Sequence, residues 1–194
     1  TTSAVNNGDV VTCVLHSNAT PCLSAASASS TNSITANIIA CGYTWTGLGG
    51  NTLWSNAGNW SPGVPPNACG SNVSIPVVSN NNYPVLDASV SLGDITMAAG
   101  TTINLGAYNM TSCGNWTGSS NTLNPSVING TGAVILTGGN AQTISGNTQF
   151  QTLHVAKTAN TTATLQAGSN VDVYTAVELA SGTLATGSGT LTFK

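Results

Sequence analysis

Charge is what this sequence has least of. Two lysines and no arginine stand against four aspartates and one glutamate, so 4% of the 194 residues are charged, where a typical soluble domain carries about 25%. With Lys157 and Lys194 as the only basic side chains, no patch can neutralise a run of phosphates. That excludes nucleic acid, and an anionic membrane surface, as expected partners. Long apolar runs are missing as well: none approaches the ~20 residues that a spanning helix needs, so no direct membrane insertion is expected. No secretory leader opens the sequence either; the chain is expected to be a mature protein or a piece of a longer one.

Paired cysteine motifs are absent too. Cys13, Cys22, Cys41, Cys69 and Cys113 lack the CxxC spacing of a zinc site, and His16 and His154 stand far from any such group. Disulfides formed in an oxidising, extracellular compartment are the expected use. The count is odd, so one thiol stays free or pairs outside the chain.

Carboxylates are too few and too scattered for hydrolysis of a glycosidic bond, which takes two of them ~5 to 9.5 Å apart. Past residue 72 there are only Asp87, Asp94, Asp172 and Glu178. Asp172 and Glu178 share a repeat but are expected on different strands. A lyase acting on acidic sugars would need more cations than Lys157 and Lys194. No GxSxG elbow accompanies His154, and no D-x-D-x-D run marks a calcium loop. No catalysis, cofactor or metal is therefore expected.

What the chain has in quantity is Thr, Asn, Ser and Gly, together 96 of the 194 residues. Thr favours strands while Asn and Gly favour tight turns, so the fold class is all-β with a surface solvated by hydroxyls and amides. Seven N-x-S/T sequons, at Asn18, Asn59, Asn72, Asn109, Asn115, Asn129 and Asn160, are what such a composition produces by chance.

Three regions follow one another. Residues 1–40 show two alternating runs, Val11-Cys13-Leu15 and Ile34-Ala36-Ile38, joined by a Ser/Ala-rich loop. That pattern predicts one hairpin, which cannot close a core alone. Residues 41–72 hold Trp45, Trp54 and Trp60 within sixteen residues. From 73 to 194 short triplets recur: Val73–Ile75, Ile95–Met97, Asn115–Thr117, Val134–Leu136, Leu153–Val155, Val171–Val173 and Leu191–Phe193. Their starts step by 22, 20, 19, 19, 18 and 20 residues, the length of a coil with three short strands and three turns. This predicts a right-handed parallel β-solenoid, with a β-sandwich as the competing arrangement. His154 and Asp172 alternate with apolar neighbours and are expected to point outward into solvent.

Two stretches resemble known families. "NNGDVVTCVLHSNATPCLSAASASSTNSITANI" resembles the last two strands of immunoglobulin-like repeats in very large surface proteins of Bacteroidota, through Gly8, Asp9, Val11 to Cys13, Ser17, Asn18, Cys22 and Asn32 to Thr35. The resemblance implies an incomplete immunoglobulin-like domain, with Cys13 paired to Cys22 or to a strand outside the chain. The second stretch resembles a module common in secreted Bacteroidota proteins. It opens with Trp45, Gly47, Trp54, Asn59, Trp60, Gly63, Pro65, Val73, Ile75 and Pro76, and closes with Ala141 to Gly146, Phe150, Leu153, Val155, Val171, Val173, Leu179, Ser181 to Leu184, Thr186 and Thr190 to Thr192.

Such modules occur in proteins exported by the type IX secretion system, including the giant adhesins of gliding motility. The resemblance therefore implies a non-catalytic segment of an extracellular, cell-surface adhesin. Its expected partners are surface glycans or abiotic surfaces, with the secretion machinery and outer-membrane anchor proteins met through regions outside this chain. The family's export signal lies at the extreme C-terminus and nothing here matches it, which implies an internal or truncated piece. The alternative is an accessory or substrate-binding module of a secreted polysaccharide-degrading enzyme. Ice-binding solenoids also carry Thr rows, but their strict T-x-T repetition is absent.

Trp45 and Trp60 are expected to cap the first coil, where an open end would expose apolar interior and unpaired strand edges. Trp54, in a Gly/Asn-rich loop, is the expected ligand contact. Among the remaining cysteines, Cys41 is expected to pair with Cys69, leaving Cys113, with Cys69 to Cys113 the competing pairing.

Overall fold

The computed structural model describes residues 42–194, which belong to a unit beginning at Ala40. The expected hairpin of residues 1–40, with His16 and any Cys13–Cys22 bond, lies outside the described residues.

Sixteen short strands and one 3-10 turn (Ala57–Asn59) make up this unit. In chain order the strands are β1 (Tyr43–Trp45), β2 (Trp60–Ser61), β3 (Val73–Ile75), β4 (Val90–Leu92), β5 (Ile95–Met97), β6 (Thr102–Asn104), β7 (Met110–Ser112) and β8 (Trp116–Thr117). They continue as β9 (Ser126–Asn129), β10 (Ala133–Gly138), β11 (Gln142–Ser145), β12 (Asn147–Lys157), β13 (Thr162–Leu165), β14 (Asn170–Ser181), β15 (Thr183–Ala185) and β16 (Thr190–Phe193). The strands stack in parallel into a β-solenoid of about six turns, as the composition and period predict.

Each coil lays strands on three faces. The first face carries β1, β3, β5, β8, β11, β13 and β15 in parallel, with β2 antiparallel outside β1. The second carries β6, β9, the first half of β12, the first half of β14, and β16. The third carries β4, β7, β10 and the second halves of β12 and β14. The two long strands turn a corner within themselves, where the register shifts between Phe150 and Thr152.

Alternation of side chains fixes what goes inside, since successive residues of a strand point to opposite faces. On the first face Val73, Ile95, Trp116, Ile144 and Leu165 stack in one buried column. On the third, Val90, Met110, Val134 and Leu153 do the same. The corners take residues that tolerate positive φ. Gly146, between β11 and β12, has φ +74°, and a Cβ there would sit 2.6 Å from the Gly118 carbonyl oxygen.

The sequence repeat is real, but its triplets do not occupy one face. Val73–Ile75, Ile95–Met97 and Asn115–Thr117 lie on the first face, Val134–Leu136 and Leu153–Val155 on the third, and Val171–Val173 and Leu191–Phe193 on the second. The causes are two long coils: Ile144, 28 residues beyond Trp116, is its true neighbour on the first face, and Val177, 24 residues beyond Leu153, is its neighbour on the third. In the first of these the extra residues are split between the loop after Gly118, tied back by Ser119 bridging Asn147, and the stretch from Val134 to Ile144, where β10 runs on to Gly138. An even step of about twenty therefore lands one face early, on an equally alternating strand.

The disulfide is also corrected. Cys69 bonds to Cys113, with Cα atoms 5.3 Å apart, so it does not pair with Cys41. The Asn67–Ser71 segment runs along the corner between the third and first faces, where Ser71 O accepts from Gly93 N and Gly93 O accepts from Gly114 N. That path carries Cys69 past the bare Gly93 corner to Cys113 in the next coil. Sequence separation alone could not order these loops around the coil.

Candidate functional surface

The tryptophan-rich stretch is closed. Trp45 and Trp60 lie opposite one another across β1 and β2, with ring centroids 5.0 Å apart and edge to face, and Trp54 meets Trp60 the same way at 4.6 Å. Each indole N–H donates to a backbone carbonyl: Trp45 to Asn82 (2.6 Å), Trp54 to Pro66 (2.9 Å), Trp60 to Trp54 (2.7 Å). The rings occupy the N-terminal end of the stacked first face, and β1 already belongs to that face within the stretch set apart as 41–72.

Trp54 is 2% exposed, which corrects the expectation that it contacts a ligand. A sugar platform needs an open ring face, and here both the ring and the N–H are taken. Asn59, a sequon residue that also belongs to the Trp-rich resemblance, is fully buried. Its side chain donates to Leu53 O (3.0 Å) and accepts from Gly49 N (2.8 Å), tying down the loop that would otherwise hold Trp54 open. The Asn-Trp pair was the available signal.

Two pairs of charged side chains fall on the second and third faces. His154 Nδ1 lies 3.6 Å from Glu178 Oε2, on neighbouring coils of the third face, and Lys194 Nζ lies 3.8 Å from Asp172 Oδ2 on the second. His154 and Asp172 point outward, as alternation predicts, but each is half-buried against its partner. Asp172 and Glu178 lie on the same strand, β14, not on two; its corner sends them to different faces. Among the described residues no group of three His, Cys, Asp or Glu side chains comes together.

Lys157 is the unexpected one. It follows Leu153 and Val155 in the inward register of β12 and is 1% exposed. Its Nζ donates to Gln142 Oε1 at 2.7 Å and Thr137 O at 3.1 Å, with no carboxylate beside it. Burial pushes its pKa down from 10.5. The period-two alternation of β12 carried this signal in the sequence.

The first face differs from the other two. Its outward column runs Thr44, Ser74, Thr96, Thr117, Ser145, one residue per coil in register. A second column, Asn115, Thr143, Thr164, runs beside it. Hydroxyls and amides join between coils: Ser145 Oγ donates to Thr117 Oγ1 (3.2 Å) and Thr143 Oγ1 to Asn115 Oδ1 (3.0 Å). The first column is free of ionisable groups; the second continues back to Asp94, which precedes Ile95 as Asn115 precedes Trp116. Asp94 stands at the corner of this face, and its carboxylate accepts the Asn115 N–H at 2.7 Å. The result is a strip of donors and acceptors, uncharged along the Thr44 to Ser145 column, with the Asp94 carboxylate beside it.

Compared with family models, curated proteins and solved structures, the chain matches none.

Proposed function

We propose that this chain is a non-catalytic segment of a long, secreted cell-surface adhesin, in which the solenoid is both a stiff spacer and a binding surface for neutral glycans. The observation that carries the reading is the uncharged hydroxyl and amide strip of the first face, continuous from Thr44 to Ser145. A neutral sugar polymer offers the matching chemistry: many weak donors and acceptors and no charge to desolvate. Individual contacts are weak, so retention rests on repetition along the strip.

Extracellular work agrees with the Cys69–Cys113 disulfide. The resemblance to modules exported by the type IX secretion system supplies the wider setting, attachment or gliding on a surface. Secretion machinery and outer-membrane anchors would act through other parts of such a protein.

The test is a glycan array probed with the whole chain and with charge inserted into the strip. Thr96→Lys and Thr117→Lys should abolish retention of neutral glycans, while Thr111→Lys on the third face should leave it unchanged. Retention indifferent to all three changes, or no retention on any array, sinks the reading.

A further inference from the structure

The hydroxyl column of the first face has a period, and the period selects among glycans. Thr44, Ser74, Thr96, Thr117 and Ser145 lie in direct register, one per coil. Ser61 on antiparallel β2 stands opposite Thr44 and is exposed, so it extends the column by one. Six hydroxyls therefore follow one another at the ~4.8 Å spacing of neighbouring strands. The column stops within the fold, because the next strand ends at Leu165 and the chain turns at Gln166, whose carbonyl accepts the Ser169 N–H. Five steps make a line about 24 Å long, whereas the three residues of β3 or β5 span only about 10 Å across the sheet. A polymer reaches all six positions by lying along the solenoid axis.

We propose that this column takes a neutral, unbranched, β-1,4-linked hexopyranose chain, laid along the axis with one ring per coil. The proposal rests on the glycan-binding reading above and narrows it to one linkage class. Equatorial bonds at both ends of each ring keep such a chain extended and ribbon-like. Its rise per ring is close to the strand spacing, so successive rings meet successive hydroxyls. An α-1,4-linked chain winds into a helix and brings no more than a ring or two to a straight line of sites. An extended chain on a preorganised sheet also gives up little freedom for each contact it adds.

The neighbouring column shows by contrast what is left open. Asn72, Asp94 and Asn115 each use a side-chain oxygen to accept an N–H of the next coil, so that column is committed to the fold. The hydroxyls of Ser61, Thr44, Ser74 and Thr96 have no such partner among the described residues, and Thr117 accepts only from Ser145. Each can both donate and accept. Asp94 sets the charge preference. Its carboxylate is exposed beside Thr96, and neither lysine offsets it, since Lys157 is buried and Lys194 pairs with Asp172 on the second face. Polymers of uronic acids are repelled, and neutral ones are not.

The test is titration of the 194-residue chain with cello-oligosaccharides of two to six rings, read by ligand-observed NMR, beside malto-oligosaccharides of the same lengths and an oligogalacturonate. Affinity for the cello series should climb with every added ring, at least tenfold in all, while the malto series stays flat beyond two rings and the oligogalacturonate is not bound. Thr96→Lys divides the column into runs of three and two, so with an unchanged melting temperature its cello series should stop gaining beyond three rings. The length dependence of the unmodified chain decides the matter without any variant. Neutral glycans retained with no dependence on length, or cello and malto series bound alike, would overturn this proposal and leave the glycan-binding reading standing. No binding of any neutral glycan would overturn both.

Discussion

Lys157 Nζ lies 2.7 Å from Gln142 Oε1 with neither residue more than 2% exposed, and Gln142 in turn donates to Ser112 O and Gly114 O. An amine is thus held inside a corner of the solenoid by neutral acceptors alone. Because burial lowers its pKa from 10.5, the folded state favours the uncharged amine, and the unfolded chain binds more protons between the lowered value and 10.5. Stability must then rise as pH climbs through that window. Lys157→Met should remove the rise. Chemical denaturation of both proteins at several pH values from 8 to 10 checks it, and parallel profiles would show that Lys157 carries no such coupling.

The tryptophan cluster gives a separate expectation. Trp54→Ala removes a buried ring, its contact with Trp60 and the donor to Pro66 O, and large-to-small changes of this kind cost about 3 to 5 kcal/mol. The melting temperature should fall sharply. Glycan retention measured well below the new melting point should survive, since Trp54 offers a ligand nothing.

Asp94 separates shape from charge. Its Oδ1 accepts the Asn115 N–H and its own N–H donates to Asn72 Oδ1, one step of a ladder that continues from Asn115 to Thr143. Asp94→Asn keeps an acceptor and should be nearly neutral in stability. Asp94→Ala leaves a backbone donor unmatched and should cost about 1 to 2 kcal/mol, read from denaturant midpoints at constant slope.

Non-reducing peptide mapping should recover Cys69 joined to Cys113, not to Cys41. The bond closes a separation of 44 residues, so reduction, or Cys113→Ser, should lower stability by about 2 to 4 kcal/mol. An unchanged unfolding midpoint after reduction would contradict it.

Much of this was legible in the sequence. Alternating triplets such as Val73–Ile75 and the Gly and Asn corners require short strands and tight turns, and their spacing near twenty requires coils. What could not be read was the assignment of strands to faces. Val134–Leu136 and Gln142–Ser145 alternate equally well, and only the extra residues after Gly118 and along β10 decide which one lies beside Trp116. The burial of Trp54 escapes the sequence for a related reason: it depends on Asn59 folding the loop inward through bonds to Gly49 and Leu53, a pattern with no periodic trace. Alternation from Leu153 and Val155 places Lys157 on the inward side of β12, although its charge gives no sign of burial.

The Cys69–Cys113 bond also decides how the chain lengthens under tension. Residues 70–112, which include β3 to β7, lie inside the covalent loop. A pull along the backbone passes from Cys69 straight to Cys113, so those strands are shielded from extension whatever happens to their ladders. At ~3.3 to 3.6 Å per residue, about 150 Å of contour stays hidden in the oxidised chain and is released only on reduction, so the redox state of the surroundings sets how far the protein can stretch.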